Sequence, residues 1–291
     1  SNILHSEGKY EESAENLINA NNIKLKINKS EANLLIDKTK KLKISSDNYE
    51  SNNQKFENYS MSIFIVGLPR CGSTLVESII SLNTKVKDLG EVNIFEESYR
   101  EYKQSEKQKS LSEIYWKKLK ITDSKTITTN KWLFNYQYAG IIAKAIPNAK
   151  IIHCYRNPLD NILSTYRAHF ATGNNFSSSL VDSAEVYSDQ DEIMRTYKKE
   201  FKNHIYSLNY DKLVTHPSDE IKSLIHWLGW SWNDLYLSPH LNKRKVSTRS
   251  NVQVRSPINK KSLGGWKNYK EMLKPAMEII TKKEKYKDLK Y

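Results

Sequence analysis

The clearest pattern of hydrophobic positions is an apolar run that ends in a glycine-containing turn and continues as a helical pattern. Residues 63–66 are all apolar, as in a buried strand. After the turn, apolar residues recur at helical spacing, at Leu75, Ile79, Ile80 and Leu82. The pattern predicts a strand, a loop and a helix in that order.

A second segment of the same kind lies further along the chain. Residues 151–155 predict another buried strand, and residues 159–166 predict the start of a helix. Strands that alternate with helices indicate a parallel sheet, in which ligands bind beyond the carboxyl ends of the strands. Because both turns fall at that edge, we expect an α/β fold with a ligand site there.

The amino-terminal region is predicted to be helical. Apolar residues at helical spacing predict two helices within residues 9–43, and the polar residues 44–58 predict a linker. Residues 8–24 resemble the end of a tetratricopeptide repeat, with Gly8 before the second helix of a pair. Such repeats are stable only in series, which suggests further repeats upstream. An ordinary helical cap on the main domain is the alternative.

These patterns divide the chain into two regions. We assign residues 1–56 to a helical segment, the remnant of a repeat region plus a linker, and residues 57–291 to the main domain. A chain of 291 residues with 38% hydrophobic content is long enough to bury one substantial core.

The chain is strongly basic. Its 46 Lys and Arg against 33 Asp and Glu give a formal net charge of +13. This charge favours an anionic partner such as a nucleotide, an acidic peptide or a polyanionic glycan. A generally basic, solvated surface explains it equally well, so the charge supports the functional argument without deciding it.

Cysteine usage and hydropathy bear on the compartment. The two cysteines, Cys71 and Cys154, have neither the number nor the spacing of a disulfide framework or a zinc site, which suits a reducing compartment. No stretch approaches the roughly 18 apolar residues of a membrane span, and the chain does not open with a signal peptide. We expect a cytoplasmic protein, although the absence of an initial Met leaves an upstream targeting segment open.

The first turn has the chemistry of a phosphate-binding loop. The stretch from Gly67 to Thr74 has the glycine spacing of a Walker A loop, whose amides at a helix start suit a phosphate. Ser73 replaces the Walker lysine and no Asp-ended strand is evident to hold Mg²⁺, which disfavours ATP or GTP hydrolysis. Arg70 instead supplies a fixed cation for a phosphosulfate or phosphate. A P-loop kinase and a purely structural turn are the alternatives.

The second turn pairs an arginine with a serine. Arg156 follows the predicted strand, and Ser164 stands eight residues later on the predicted helix. Such a pair suits a terminal phosphate. The two turns therefore predict two anion-binding loops.

Together the two loops resemble those of sulfotransferases that use 3'-phosphoadenosine-5'-phosphosulfate (PAPS). The matching stretches are GLPRCGSTL, which begins at Gly67, and YRNPLDNILSTY, which begins at Tyr155. In that family the first loop binds the 5'-phosphosulfate. The second binds the 3'-phosphate and has Arg, Pro, Asp and then Ser eight residues after the Arg.

Four further stretches are similar to tyrosylprotein sulfotransferases and to tetratricopeptide-containing bacterial sulfotransferases. They are Gly90-Glu91, Thr129-Asn130-Lys131, the segment from Tyr210 to Pro217 and the segment from Ser250 to Asn259. The resemblance covers most of residues 63–266. It implies a P-loop-type three-layer sandwich with a central parallel sheet, preceded by a short helical repeat-like segment.

The resemblance also implies a role for individual residues. Glu91 would accept the proton of the acceptor hydroxyl as general base. Arg70 and Lys131 would hold the sulfate and the bridging oxygen, and Ser250 would donate a hydrogen bond there. No catalytic metal is implied. The residues implied in cofactor binding are Pro69, Arg70, Cys71, Gly72, Ser73, Thr74, Arg156, Ser164, Tyr210, Ser250, Gln253 and Lys267.

The sequence departs from the family pattern at two positions. Cys71 stands where the family often has Ser or Thr, and Gly265 stands where a basic residue often precedes the Trp of the final Gly-x-Trp. Lys267, Lys260 and Lys261 are the candidates to supply the lost charge at the 3'-phosphate. Cys71 as an activated nucleophile is a weaker interpretation, since no His is near it in sequence.

The acceptor is less defined than the donor. The resemblance favours a tyrosine of a protein or peptide, whereas a glycan or small-molecule hydroxyl would use the same machinery. We expect neither a nucleic acid nor a membrane as partner, and a homodimer is left open. A helical-repeat interaction protein with a decayed nucleotide domain is the alternative that is not an enzyme.

Overall fold

A computed structural model describes residues 1–50, 60–105, 109–121, 125–170, 173–242 and 255–290. The α-helices of the described residues are, in chain order, α1 Asn2–Ser6, α2 Tyr10–Ile27, α3 Ala32–Asp47, α4 Ser73–Ile80, α5 Ile94–Gln104, α6 Leu111–Leu119, α7 Ala139–Ala145, α8 Pro158–Tyr166, α9 Leu180–Glu200, α10 Tyr210–Thr215, α11 Pro217–Trp227 and α12 Lys270–Ile280. The strands are β1 Ser62–Gly67, β2 Val86–Asp88, β3 Ile127–Asn130, β4 Ala149–Tyr155 and β5 Ile205–Asn209.

The chain forms two compact units. Unit 1 comprises residues 1–39, 156–192 and 261–291, and unit 2 comprises residues 40–155 and 193–260. The whole sheet belongs to unit 2. The predicted boundary at residue 56 falls within residues 51–59, outside the described part, and stays a prediction.

The five strands form one parallel sheet in the order β2-β3-β1-β4-β5. This confirms the predicted α/β fold with a central parallel sheet. Every residue of β1 is buried, as its continuous apolar run requires for a strand covered on both faces. From β1 the chain builds the sheet first toward β2 and later toward β5, so the carboxyl end of β1 is a switch point where ligands bind in such folds.

Helices cover both faces of the sheet in unit 2, which makes this unit three-layered. On one face, Ile63 and Ile65 of β1 join an apolar core that includes residues of α4 and α11. On the other face, Phe64 packs edge-on against Phe95 of α5, and Tyr115 of α6 completes the aromatic group. Because side chains alternate along β1, successive residues pack against the helices on opposite faces of the sheet.

The third helix is longer than the sequence predicts. Residues 44–47 were predicted to begin a linker, but α3 continues to Asp47. Ser46 is fully buried, and a Cβ atom on Gly140 would lie 2.1 Å from its hydroxyl oxygen. Because the small polar Ser46 packs where the helix contacts Gly140, the apolar periodicity of the sequence ends before the helix does.

Unit 1 is built mainly from helices. The Asn21 amide of α2 donates to the Tyr166 carbonyl oxygen at the end of α8, 3.0 Å away. The Ser13 hydroxyl lies 2.9 Å from the Tyr269 hydroxyl, in the turn before α12. Gly8 joins α1 to α2 in a left-handed conformation, with φ of 77°. The repeat-like interpretation of this helix pair stays a prediction.

Candidate active site

The predicted phosphate-binding loop lies between β1 and α4. β1 ends at Gly67, and α4 begins at Ser73 with Gly72 as its N-cap. Gly67 is so close to β4 that a Cβ atom there would be 2.4 Å from the Cys154 carbonyl oxygen. Only glycine allows this approach, so the loop leaves the sheet tightly and leads directly to the amides of α4.

Arg70 has a strained backbone within this loop. Its φ of 68° is in the left-handed region, which costs a residue with a Cβ atom about 1 kcal/mol. Strain of this kind concentrates at ligand-binding sites, where the surrounding structure holds it in place. The conformation is consistent with the predicted role of Arg70.

The ring of Tyr210 packs directly on the loop. Tyr210 begins α10 immediately after β5, and Asn209 caps this helix by accepting from the amides of Asp211 and Lys212. A Cβ atom on Gly72 would lie 2.2 Å from the Tyr210 ring, and Gly72 has φ of 94°. The loop therefore needs glycine here for two separate reasons, conformation and space.

Replacing Gly72 with Ala is expected to lower the free energy of unfolding by about 2 kcal/mol or more, as left-handed strain adds to the ring clash. Urea unfolding measures the effect. Adding Tyr210→Ala relieves the clash alone, so the double variant is expected to lose less than the sum of the single losses. Strictly additive losses would contradict the packing of the ring on Gly72.

The two cysteines face each other beneath the loop. Both are free thiols and nearly fully buried. A hydrogen bond with the Cys154 thiol, followed by one from the Ser73 amide, lowers the pKa of Cys71. Burial raises the pKa of Cys154. Because a nucleophile must reach its substrate, the burial of Cys71 argues for a packing role in the loop.

The structure brings Glu91 and Lys131 into direct contact. The Lys131 Nζ atom is 2.6 Å from Glu91 Oε1. The lysine side chain is 1% exposed and that of the glutamate 47% exposed. The pair thus joins a buried ammonium to a carboxylate that a solute can reach.

The backbone explains why these two residues meet. Hydrogen bonds continue beyond the ends of β2 and β3, from the Leu89 amide to the Thr129 carbonyl oxygen at 2.9 Å. The Lys131 amide then donates to the Gly90 carbonyl oxygen at 2.8 Å. Since the segments that follow β2 and β3 leave the sheet side by side, their next side chains lie at the same edge of the sheet.

Lys131 has a second carboxylate neighbour that was not predicted. Glu77 of α4 places its Oε2 atom 3.8 Å from Lys131 Nζ, and its side chain is 2% exposed. The field of Lys131 is also among the causes that lower the pKa of Cys71. The ammonium therefore acts on the phosphate-binding loop as well as on Glu91.

In unit 1, Arg156 introduces the second predicted loop. It directly follows β4, is buried, and its carbonyl oxygen accepts from the Tyr187 hydroxyl at 2.7 Å. Its guanidinium donates to the Ser262 carbonyl oxygen. Asn157 then caps α8 by accepting from the amides of Leu159 and Asp160. The start of α8 and the position of Arg156 are thus both held by hydrogen bonds.

Asp160 ties this loop to the segment before α12. Its carboxylate accepts from the Gly264 amide at 2.8 Å and from the Trp266 amide at 3.0 Å. The same carboxylate lies 3.8 Å from the Arg156 guanidinium, and both side chains are buried. One buried anion thereby holds the second loop and the Gly-x-Trp turn together.

Replacing Asp160 with Ala is expected to lower the free energy of unfolding by about 3 kcal/mol, because it removes the carboxylate beside a buried guanidinium and leaves two amides without their acceptor. Urea unfolding monitored by circular dichroism measures this loss. The exposed Asp288→Ala in the same unit is the control and should change stability by less than about 0.5 kcal/mol. Equal stabilities of the two variants would contradict the tethering role.

Part of the chain matches a known protein family. The description of the matching family model is "Sulfotransferase family", and the match covers residues 105–234. Residues 105–234 of this chain are therefore similar to the sulfotransferase family. The matched segment contains Lys131, Arg156, Ser164 and Tyr210, whereas the phosphate-binding loop and Glu91 precede it.

Two relatives are longer than the segment that they share with this chain. An uncharacterized protein of Aquifex aeolicus (strain VF5) is 31% identical over 75% of the chain, and this match covers 32% of that protein. Protein-tyrosine sulfotransferase 1 of Danio rerio is 25% identical over 70% of the chain and is covered to 65%. The chain therefore spans about a third of one relative and about two thirds of the other.

Solved sulfotransferase domains have the same fold. The sulfotransferase domain of the Synechococcus PCC 7002 olefin synthase matches with a TM-score of 0.57 and 14% identity, over 79% of this chain and 98% of that chain. At this identity the likeness supports the fold and leaves the substrate undetermined.

The remaining predicted site residues lie in several different elements of the fold. Ser164 lies in the second turn of α8, and Lys267 is exposed in a 3₁₀ turn, Gly265–Tyr269. Lys260 and Lys261 are also exposed. Ser250 and Gln253 lie outside the described residues. Pro69, Ser73 and Thr74 belong to the phosphate-binding loop and the start of α4.

Two observations concern metals and membranes. Across the described residues, no group of three or more His, Cys, Asp and Glu side chains is arranged to hold a metal ion. No helix in the same part of the chain is long and apolar enough to span a bilayer.

Proposed function

We propose that this chain transfers a sulfuryl group from PAPS to an acceptor hydroxyl. The observation that carries the proposal is the contact between Glu91 and the buried ammonium of Lys131, at the carboxyl edge of the sheet. A carboxylate open to solvent can accept a proton, and an ammonium shielded from water acts strongly on nearby negative charge. Arg70 belongs to the same unit and adds a second cation.

The residue types of the two predicted loops support a doubly phosphorylated nucleotide as the proposed donor substrate. The start of α4 has no side-chain cap because its N-cap residue is Gly72, and it follows the strained Arg70. This loop would hold the 5'-phosphosulfate. Arg156 and Ser164 would hold the 3'-phosphate, with Tyr210, Gln253 and Lys267 as further contacts of the nucleotide.

In the proposed reaction the acceptor oxygen attacks sulfur in line with the bridging oxygen. The acceptor loses its proton to a Glu91 oxygen as its bond to sulfur forms, and the bond from sulfur to the bridging oxygen breaks. Charge then builds on the departing 5'-phosphate. Lys131 and Arg70 would neutralise that charge, and Ser250 would donate a hydrogen bond to it.

For the acceptor we propose the hydroxyl of a tyrosine in a protein or peptide. This rests on the motifs shared with tyrosylprotein sulfotransferases and on 25% identity to the zebrafish protein-tyrosine sulfotransferase 1. A net charge of +13 suits a tyrosine flanked by acidic residues. The cytoplasmic location and a homodimer stay predictions.

Binding and transfer can be tested on the intact chain. We expect adenosine 3',5'-bisphosphate to raise the unfolding temperature by several degrees, and ATP with Mg²⁺ to raise it less. We also expect ³⁵S-labelled PAPS to label a tyrosine peptide with acidic flanks, and its Phe counterpart to stay unlabelled. Labelling of glycans but not of the tyrosine peptide would show that the acceptor is a glycan hydroxyl. A failure to bind the bisphosphate would overturn the proposed function.

A further inference from the structure

One buried carboxylate of unit 2 has no part in the proposed reaction. Glu77 lies in α4, the helix that starts at the phosphate-binding loop, and its residue is 1% exposed. Its helix neighbours Val76, Ile79 and Ile80 belong to the apolar core. A carboxylate in such surroundings persists only when a compensating charge or hydrogen bonds are built for it.

The compensating charge is the Lys131 ammonium. Glu77 and Glu91 are the carboxylates within 4 Å of this ammonium among the described residues, at 3.8 and 2.6 Å. They differ in exposure, because the side chain of Glu77 is 2% exposed and that of Glu91 is 47% exposed. One counter-ion is thus enclosed by the protein, and the other is open to a substrate.

We propose that Glu77 is a positioning residue for sulfuryl transfer, which rests on the proposed function of the site. It is the permanent counter-ion of Lys131 and allows Glu91 to leave the ammonium for the acceptor hydroxyl. Without Glu77, the buried ammonium would depend on Glu91 for its compensation and would hold it away from the acceptor.

Charge balance during turnover supports this division of roles. Before transfer the group carries two negative charges and one positive charge. When Glu91 takes the acceptor proton it becomes neutral, and the ammonium keeps a carboxylate partner only through Glu77. The position of Lys131 is then maintained while negative charge develops on the leaving oxygen.

The kinetic test replaces Glu77 with Gln. We expect kcat to fall about tenfold or more, with the KM for PAPS and the affinity for adenosine 3',5'-bisphosphate changed less than about twofold. Glu77→Asp should recover much of kcat, because it restores a carboxylate at this position.

The matched control is Glu101→Gln, which removes a carboxylate from a solvent-exposed pair with Lys118 at 2.9 Å. It should leave kcat unchanged. A Glu77→Gln enzyme with wild-type kcat would overturn the inference. An inactive wild-type chain would instead contradict the proposed function, so the two failures are distinguishable.

A stability cycle tests the same assignment without activity. Lys131→Met removes the ammonium that compensates the buried Glu77 carboxylate. Adding Glu77→Gln should therefore raise the unfolding temperature of the Lys131→Met variant by several degrees. Adding Glu91→Gln should raise it by less than about one degree, because water already solvates that side chain. If Glu91→Gln raised the unfolding temperature of Lys131→Met and Glu77→Gln did not, Glu91 and not Glu77 would be the permanent counter-ion.

Discussion

Replacing Glu91 with Gln is expected to lower kcat by roughly 10²- to 10⁴-fold and to leave the affinity for adenosine 3',5'-bisphosphate within about twofold. The amide has nearly the shape of the carboxylate but cannot accept the acceptor proton. Nucleotide binding should survive because Lys131 stays charged and Glu77 still compensates it. Single-turnover transfer of ³⁵S from PAPS measures kcat, and calorimetry measures the affinity.

Glu97→Gln on α5 serves as the matched control, since this carboxylate is also exposed and lies six positions further along the chain. It should retain wild-type kcat. A Glu91→Gln enzyme that binds the bisphosphate poorly would show that Glu91 acts in binding, and one with normal turnover would exclude it as the base.

The central part of the fold is predictable because its signals are local. The apolar runs of β1 and β4, each followed by a helical pattern, indicate two strand–loop–helix units, and the structure confirms both. β2 has only three residues and β3 only four, so neither has enough alternation to be recognised. β3 pairs with β1 and β2 pairs with β3, and a single segment does not encode such pairing.

The end of α3 shows why some boundaries escape prediction. Helical periodicity is recognised from apolar residues, but the buried face of α3 ends in a serine. Ser46 packs where Gly140 of α7 leaves room, and the Lys144 ammonium donates to the Ser46 carbonyl oxygen at 2.6 Å. The burial of this polar residue is set by a partner about a hundred residues away.

The candidate site likewise contains residues that the sequence reveals and residues that it does not. Arg70 and Arg156 stand out in the sequence because each lies in a recognisable loop that follows a strand. Glu91 and Lys131 were found only through a family resemblance, and their contact comes from two strands that pair in the sheet. Catalytic roles for these residues stay predictions until they are measured.

Glu77 and Asp160 show the same arrangement, one in each unit. Each lies 3.8 Å from a buried cation, Lys131 in unit 2 and Arg156 in unit 1. Glu77 had one visible signal, a single charged residue in an otherwise uncharged helix. If each cation binds an anionic group as proposed, the buried carboxylate beside it holds the cation in position before binding and lowers the cost of binding.

Arg156→Ala is expected to weaken binding of adenosine 3',5'-bisphosphate by about 100-fold, because the variant loses a buried charged donor for the 3'-phosphate. Adenosine 5'-phosphate lacks that group, so its affinity should change less than about threefold. The wild-type preference for the bisphosphate over the monophosphate should therefore nearly disappear. Calorimetric titration of both nucleotides into both proteins measures this preference directly.

Loss of Arg156 also removes the partner of Asp160, so a destabilised fold has to be separated from a lost contact. Retained binding of adenosine 5'-phosphate reports that the phosphate-binding loop is folded. Arg156→Lys keeps the charge but loses the planar fork, and should bind the bisphosphate with intermediate affinity. The exposed Arg195→Ala should bind both nucleotides like wild type. If Arg156→Ala weakened both nucleotides equally, Arg156 would not be the 3'-phosphate ligand.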